Sequence, residues 1–444
     1  MDKSISFTQL EEFEKDFHRD PAKRVAQLAV TANGVNQSAA DPFTLRRDRF
    51  QFSVELKTGH ITNQKASGRC WLFAAMNTMR MEVMKKLNLE DFELSQNYLL
   101  FYDKLEKSNY FLESILETLD EPTNGRLIAH LLTAPLNDGG QWDMLCNIVD
   151  KYGVVPKDAM PETACSSSTG EITSYMTRRL REFACTLREG YAQGRDIGQL
   201  RKMKEGMLCS IYNMLCIALG NPPKTFTFEI RDKDNKFIRD TGLTGRSFYE
   251  KYVGWELSDY VSLINATTKD KPFHRTFTVK LLGNVKEGRP VKYLNLPVEE
   301  LKQAAVRQLE GGSPVWFGCD VGKSSTRKTG IMDLEALRPD QLFGVEFGMD
   351  KAQRLDYCDS LMTHAMVFQG VNLDENGAPD RWKVENSWGD ELGEKGYFVM
   401  SDNWFTEYTY QVVIHKKYLT DSQRAELEQA PIELEPWDPM GSLA

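Results

Sequence analysis

The spacing of apolar residues predicts that the first 165 residues are mostly helical. The earliest helix has an apolar stripe along one side, made by Phe7, Leu10, Phe13 and Phe17. Ser6 is its expected N-cap, with Gln9 as the partner in a capping box. A stripe of this kind predicts that the helix buries one side against another part of the protein.

Three further helices are predicted in this half of the chain. A long and largely buried helix begins at Cys70, directly after the aperiodic segment 58–69. Another opens at 94–96, and a glycine turn at 138–140 leads into a helix that stops near Gly153.

After residue 165 the pattern changes to a polar helical region and then to strands. Phe226, Phe228 and Ile230 alternate with polar residues before a turn, which is typical of a hairpin. A helix is predicted at 298–310. Strands are predicted at 276–282, 291–296, 315–321, 365–371, 381–385, 397–400 and 411–414. The last residues, from Ala430, have neither a helical nor a strand pattern and are expected to form an extended tail.

Composition narrows the possible classes of protein. The 444 residues carry a net charge of −9, so general attraction to nucleic acid or to an anionic membrane is not expected. No apolar run approaches the roughly 18 residues that span a bilayer, and the start of the chain lacks the apolar segment of a signal peptide. The eight cysteines include no Cys-x-x-Cys pair, which predicts reduced and mostly buried thiols in a cytoplasmic protein with no bound metal or other cofactor.

Three separated residue types together indicate thiol chemistry. A cysteine in the first turn of a helix, as predicted for Cys70, faces unpaired N–H groups that favour the thiolate. Such a nucleophile needs a base and a group that orients the base, and His364 and Asn386 follow in that order. Taken singly, the histidine is better explained as a core residue and the asparagine as a turn residue.

The motifs around these residues resemble those of the papain-like cysteine peptidases. Within that group, the whole chain from residue 5 onward is similar to the bleomycin hydrolase and bacterial aminopeptidase C family. The resemblance is carried by Asn-Gln-Lys-Ala-Ser-Gly-Arg-Cys-Trp-Leu-Phe-Ala at 63–74, Leu-Met-Thr-His-Ala-Met at 361–366 and Lys-Val-Glu-Asn-Ser-Trp-Gly at 383–389. The separation of Cys70 and His364 is about twice that of papain, which implies a large insertion between them.

The resemblance implies roles for the matching residues. Cys70 would be the nucleophile, His364 the general base and acid, and Asn386 the group that fixes the imidazole. Gln64 would donate its side-chain amide to the oxyanion.

The same resemblance implies a substrate-binding set and two supporting residues. Gly139 and Gly140 would form the wall of the substrate pocket, and Ala444 would offer its α-carboxylate to the amino group of the substrate. Trp71 and Trp388 would be the supporting tryptophans, the latter shielding the bond between asparagine and histidine.

The fold implied is an α+β papain-like fold with a helical subdomain and a β-barrel subdomain. Its expected segments are an N-terminal helix and lead-in (1–60), the helical subdomain with the nucleophile (61–165), an inserted helical and hairpin region for oligomerisation (166–297), the β subdomain with histidine and asparagine (298–429) and a C-terminal arm in the active-site cleft (430–444).

The function implied is a cytosolic cysteine aminopeptidase of broad specificity, for peptides with a free N-terminus. It would act through a thiolate nucleophile and an acyl-enzyme intermediate, with a bleomycin-hydrolase-like activity also allowed. Family members form rings of six subunits, so a homohexamer is expected. The alternatives are a ring-forming papain-fold protein that acts as an endopeptidase or as a nucleic-acid-binding scaffold. The basic stretch 178–204 is the feature that keeps the second alternative open, although nucleic acid is not the expected partner.

Overall fold

The computed structural model describes residues 3–44 and 47–444. In these ranges the α-helices are α1 (Phe7–Arg19), α2 (Pro21–Asn33), α3 (Val35–Ala39), α4 (Cys70–Leu87), α5 (Gln96–Glu117), α6 (Arg126–Thr133), α7 (Trp142–Tyr152), α8 (Ala164–Ser167), α9 (Gly170–Ala192), α10 (Ile197–Leu219), α11 (Gly245–Phe248), α12 (Val298–Glu310), α13 (Pro339–Phe343), α14 (Lys351–Asp356), α15 (Asp402–Tyr408) and α16 (Asp421–Leu427). None of the described helices is both long and apolar enough to cross a membrane.

The strands described in the same ranges are β1 (Val54–Glu55), β2 (Phe226–Arg231), β3 (Phe237–Leu243), β4 (Tyr260–Ile264), β5 (Arg275–Val279), β6 (Tyr293–Asn295), β7 (Val315–Cys319), β8 (Ser325–Thr326), β9 (Ile331–Met332), β10 (His364–Leu373), β11 (Pro379–Glu385), β12 (Tyr397–Ser401), β13 (Thr409–His415) and β14 (Ile432–Leu434). β2 and β3 form a separate hairpin. The others form one mixed sheet in the order β14-β5-β6-β4-β13-β7-β10-β11-β12-β9-β8, with β1 also paired to β10.

The centre of the large sheet positions two of the expected catalytic residues. β10 pairs antiparallel with β7 and with β11, so that His364 lies opposite Cys319 and Val367 lies opposite Glu385. Because Glu385 ends β11, the next residue, Asn386, leaves the sheet close to the beginning of β10.

The sheet separates two hydrophobic cores. Successive residues of a strand point to opposite faces, and in β7 Trp316 belongs to one core whereas Phe317 belongs to the other. The first core contains the buried sides of α4, α5, α7, α9 and α10. The second contains α12 and α15. The α+β class is therefore confirmed.

Most of the predicted elements are present. The capping box at Ser6, the helix that begins at Cys70, the helix after Ser95 and the helix at 298–310 are confirmed. The predicted hairpin is confirmed as β2 and β3. Each of the predicted strands overlaps a strand of the large sheet.

Three expectations are wrong. No residue of α1 is buried, and Phe7 and Phe13 are 86% and 59% exposed. The tail is not free of strand structure, because β14 pairs parallel with β5 and uses the backbone groups of its open edge. All eight cysteines are free, but only Cys70, Cys146 and Cys319 are buried, since helices α9 and α10 turn several of the others toward solvent.

The division into five segments stays a prediction. Within the segment 166–297, the helices α9 and α10 and the hairpin precede β4, β5 and β6. These three strands join the same sheet as the strands of segment 298–429.

Candidate active site

Cys70 is the first residue of α4, and its side chain is buried. The N–H groups of a first helical turn have no partner within the helix and stabilise a nearby negative charge. Burial raises the pKa of the Cys70 thiol to about 11, while the N–H groups of Ala365, Trp71 and Cys70 itself act to lower it. Burial therefore opposes the thiolate that the helix start was expected to favour, and Cys70 needs a base to become a nucleophile.

His364 begins β10 and is buried as well. Its Nε2 lies 3.0 Å from Oδ1 of Asn386. Because an amide oxygen only accepts, Nε2 carries the hydrogen, and Nδ1 is the ring nitrogen free to take a proton. Burial lowers the pKa of His364 to about 4, the bond to Asn386 raises it, and the positive charge of Arg327 lowers it. His364 is therefore a neutral base at neutral pH.

The imidazole has an aromatic neighbour. The ring centroids of His364 and Trp388 are 4.9 Å apart, with 31° between the planes. Trp388 in turn has the guanidinium of Arg327 at 4.4 Å from its ring centroid. The half-buried indole thus covers one side of the histidine and brings a cation close to it.

Gln64 is fixed by bonds at both ends of its side-chain amide. Its Nε2 donates to the carbonyl oxygen of Ser67 at 2.6 Å, and its Oε1 accepts from Oγ of Ser387 at 2.6 Å. The backbone N–H of Gln64 also donates to the carbonyl of Ser387. An amide nitrogen carries two hydrogens, so one of them is left for an oxyanion.

The glycine pair forms a wall that a side chain would disrupt. A Cβ on Gly140 would lie 2.7 Å from the ring of Trp71, and a Cβ on Gly139 would lie 2.6 Å from the carbonyl oxygen of Ala444. The indole Nε1 of Trp71 donates to the backbone oxygen of Asp138 at 2.7 Å. Trp71 thereby connects the beginning of α4 to this wall.

The end of the C-terminal arm lies against the wall. Gly140 N–H donates to the oxygen of Ala444 at 3.2 Å, and Nε2 of Gln141 donates to the oxygen of Ser442 at 2.6 Å. On the other side, Oγ of Ser442 donates to the carbonyl of Met362 at 2.7 Å, just before β10. The arm therefore bridges the glycine wall and the segment that leads to the histidine.

The preceding part of the arm is also anchored. The side chain of Asp438 pairs with Nζ of Lys271 at 2.8 Å, and Tyr293 donates its hydroxyl to the carbonyl of Met440 at 3.1 Å. Together with the pairing of β14 and β5, these contacts hold the arm along its length.

All nine residues named from the sequence lie in this region. His364 contacts both Asn386 and Trp388, and Gln64 is bonded to Ser387, the residue after Asn386. The thiol of Cys70 accepts from the N–H of Ala365, the residue after His364, and Trp71, next to Cys70, contacts the glycine wall on which Ala444 lies. Among the described residues, no group of three or more His, Cys, Asp or Glu side chains is arranged to hold a metal ion.

Sequence reasoning assigned no role to Ser387, Gln141 or Arg327. Ser387 lies inside the motif 386–389, and Gln141 follows the glycine pair, so their positions were a usable signal. Arg327 lies in a polar stretch with no motif, and its contact with Trp388 arises only from the fold.

Comparison with known proteins agrees with this geometry. Residues 4–441 match the model of the Peptidase C1-like family. Aminopeptidase C of Listeria monocytogenes is 50% identical over 444 residues, which is the full length of both chains. Human bleomycin hydrolase is 42% identical, with 96% of this chain and 95% of that protein covered. The crystal structure of PepW from Lactobacillus rhamnosis has 49% identity and a TM-score of 0.98 over the full length of both chains. The chain therefore belongs to the Peptidase C1-like family of papain-like cysteine peptidases, in the branch that contains aminopeptidase C and bleomycin hydrolase.

Proposed function

We propose that this protein is a cysteine aminopeptidase that removes N-terminal residues from peptides with broad tolerance of side chains. The observation that carries the proposal is the position of Ala444, held at Gly140 in the wall that Trp71 joins to the nucleophile helix. The similarity to aminopeptidase C over the full length supports it.

The first half of the reaction uses the neutral thiol and imidazole. The thiol proton of Cys70 moves to Nδ1 of His364 as the sulfur attacks the peptide carbonyl and forms an S–C bond. The backbone N–H of Cys70 and the free Nε2 hydrogen of Gln64 then stabilise the oxyanion. As the C–N bond breaks, the imidazolium gives its proton to the leaving amine.

The second half releases the acyl group. A water molecule gives a proton to His364 and its oxygen attacks the thioester carbon. The S–C bond then breaks, and the proton returns from the imidazolium to the sulfur. Asn386 holds the Nε2 side of the ring through both halves, so Nδ1 stays directed at the reacting atoms.

The arm accounts for the choice of substrate. A free α-carboxylate on Ala444 would form a charge-assisted pair with the α-ammonium group of a peptide. The rest of the arm blocks a longer chain on the same side of the scissile bond. Recognition of the backbone amine places no demand on the side chain, which explains broad specificity.

A bleomycin-hydrolase-like activity is part of the same proposal. A site that recognises an amine beside an amide carbonyl accepts non-peptide amides with that arrangement. The 42% identity with human bleomycin hydrolase supports this extension.

The two alternatives have less support. An endopeptidase needs the arm out of the cleft, against the contacts of Gln141, Ser442 and Asp438. A nucleic-acid-binding scaffold would not need the polar residues Gln64 and Asn386 near Cys70 and His364. The net charge of −9 also opposes binding to nucleic acid.

Cytoplasmic location and a ring of six subunits complete the proposal. Eight free cysteines suit a reducing compartment. The exposed stripe of α1 supports self-association, because no residue of this amphipathic helix is buried by the described part of the chain.

The test compares an aminoacyl amide that has a free amino group with its N-acetylated twin, using reduced, full-length protein. We expect hydrolysis of the free amine and little of the acetylated compound. A variant without residues 441–444 should lose most of this preference, because its α-carboxylate no longer lies at the glycine wall and the block is shortened.

A matched control separates the effect of the carboxylate charge from the steric block by the arm. Adding one alanine after Ala444 keeps the arm but moves the carboxylate by about 3.5 Å, and should raise KM for the free amine while the acetylated twin stays excluded. Equal rates for the two compounds with the full-length protein would support the endopeptidase. No thiol-dependent turnover of either would support the scaffold.

A further inference from the structure

A buried ion pair lies beneath the candidate active site. Arg80 is in α4, about three turns after Cys70. Glu385 is the last residue of β11, directly before Asn386. Nη2 of Arg80 and Oε1 of Glu385 are 2.9 Å apart, and the two side chains are 1% and 0% exposed.

The remaining bonds of the pair reach the other elements of the site. Oε2 of Glu385 accepts from Nε2 of Gln369, which is in β10 with His364. Nη2 of Arg80 also donates to the carbonyl of His60 at 2.8 Å, in the segment that leads to Gln64. One ion pair therefore contacts all four chain segments that carry the expected catalytic residues.

Stability alone does not explain such a pair. Removing two charges from water costs about as much as their attraction returns, and a buried pair can often be replaced by apolar residues without loss of stability. The pair instead fixes the relative orientation of the segments it contacts, because charged hydrogen bonds hold their partners at fixed distances and angles. Here the partners are α4, β10 and β11.

We propose that Arg80 and Glu385 are positioning residues that hold Asn386, and through it His364, in register with Cys70. They touch no substrate and act by fixing the elements on which these three residues are placed. The proposal rests on the proposed function only for its kinetic readout, because the reactivity of the Cys70 thiol can be measured without any substrate.

The experiment uses the full-length protein with Glu385→Gln, which preserves shape and removes the charge. We expect kcat for a free-amine aminoacyl amide to fall by about 10- to 100-fold, as a displacement near 1 Å can produce, with KM little changed. Alkylation of Cys70 by iodoacetamide, followed on the Cys70 peptide by mass spectrometry, should slow in parallel.

Two further variants keep the test decisive. Glu113→Gln removes a carboxylate whose ion-pair partners, Lys204 and Arg201, are both in α10, so it should lower stability without changing kcat or the alkylation rate. The double variant Arg80→Met with Glu385→Leu removes both charges, and should fold while remaining slow in both assays.

The proposal is overturned if the folded double variant has kcat and Cys70 alkylation within twofold of the unmodified protein. It is also overturned if Glu385→Gln changes only the thermal midpoint, as Glu113→Gln does. Absence of aminopeptidase turnover in the unmodified protein would instead reject the proposed function, and the alkylation rates would still decide the positioning role.

Discussion

Burial acts on the two reacting side chains in opposite directions. It lowers the pKa of His364 to about 4 and raises the pKa of Cys70 to about 11, because both neutral forms are favoured away from water. Catalysis needs a neutral imidazole, so kcat/KM should fall as the pH drops through about 4, where an exposed histidine would give a fall near 6.5. A pH profile of kcat/KM measures this, and an acid limb near 6.5 would contradict the buried base.

The cation beside the histidine provides a second test at this scale. Arg327 stacks on Trp388 and lowers the pKa of His364. Arg327→Gln should therefore move the acid limb of kcat/KM to higher pH, because protonation of the imidazole no longer meets a nearby positive charge. Arg327→Lys keeps the charge and is the control, for which the limb should stay in place. If the acid limbs of kcat/KM lie at the same pH in the two variants, the charge of Arg327 has no effect on the pKa of His364.

The nucleophile can be tested by removing one atom. Cys70→Ala should reduce turnover by at least about 1,000-fold. The helix should remain, because alanine is the best helix former. Thermal unfolding and turnover of the same preparation provide the measurement, and substantial residual turnover would remove Cys70 from its role.

Local sequence was sufficient for part of the site and insufficient for the rest. Cys70 at a helix start is visible in the sequence because helix beginnings depend on neighbouring residues. The contact between Gln64 and Ser387 joins residues 323 positions apart, and no local pattern encodes it. For His364 and Asn386, the resemblance to known peptidases supplied the pairing that periodicity could not.

At the scale of elements, the fit of the arm against the glycine wall can be tested at one position. A Cβ on Gly139 would lie 2.6 Å from the oxygen of Ala444 and 2.8 Å from Cβ of Leu443. Gly139→Ala should therefore displace the end of the arm and reduce the preference for a free amine over its acetylated twin by about 10-fold, the equivalent of about 1.4 kcal/mol.

Gly206→Ala is the matched control for this change. Gly206 lies within α10, and a Cβ there meets nothing within 4 Å. The substitution should leave the preference unchanged and add up to about 1 kcal/mol of stability, because alanine favours the helix. An unchanged preference in Gly139→Ala as well would show that the arm adjusts without loss.

The elements differ in how well sequence predicts them, and the reason is physical. The capping box of α1 and the beginning of α5 depend on local sequence, and both were predicted correctly. β14 forms because the open edge of β5 offers it backbone partners, which a sequence of three prolines and no strand pattern does not reveal. The stripe of α1 indicated a surface that favours burial but not where its partner lies.

At the scale of the whole molecule, the site lies where the two cores meet the sheet. α4 belongs to the first core and β11 to the second, whereas β10 contributes side chains to both. The arm contacts the glycine wall and the segment before β10, so it crosses between these parts. The C-terminal arm therefore links the geometry of the cleft to the choice of substrate. The variant without residues 441–444 tests both.

The exposed helix at the other end of the chain predicts the assembly. Phe7 and Phe13 of α1 are 86% and 59% exposed, and apolar surface of this kind is normally covered by a partner. At micromolar concentration the protein should sediment as a multiple of its 50.8 kDa mass. The pair Phe7→Asp and Phe13→Asp should shift it toward the single chain, because a charge on that stripe is costly to bury. Glu12→Lys, on the opposite side of α1, should leave the sedimentation unchanged, and a single chain in the unmodified protein would reject the ring.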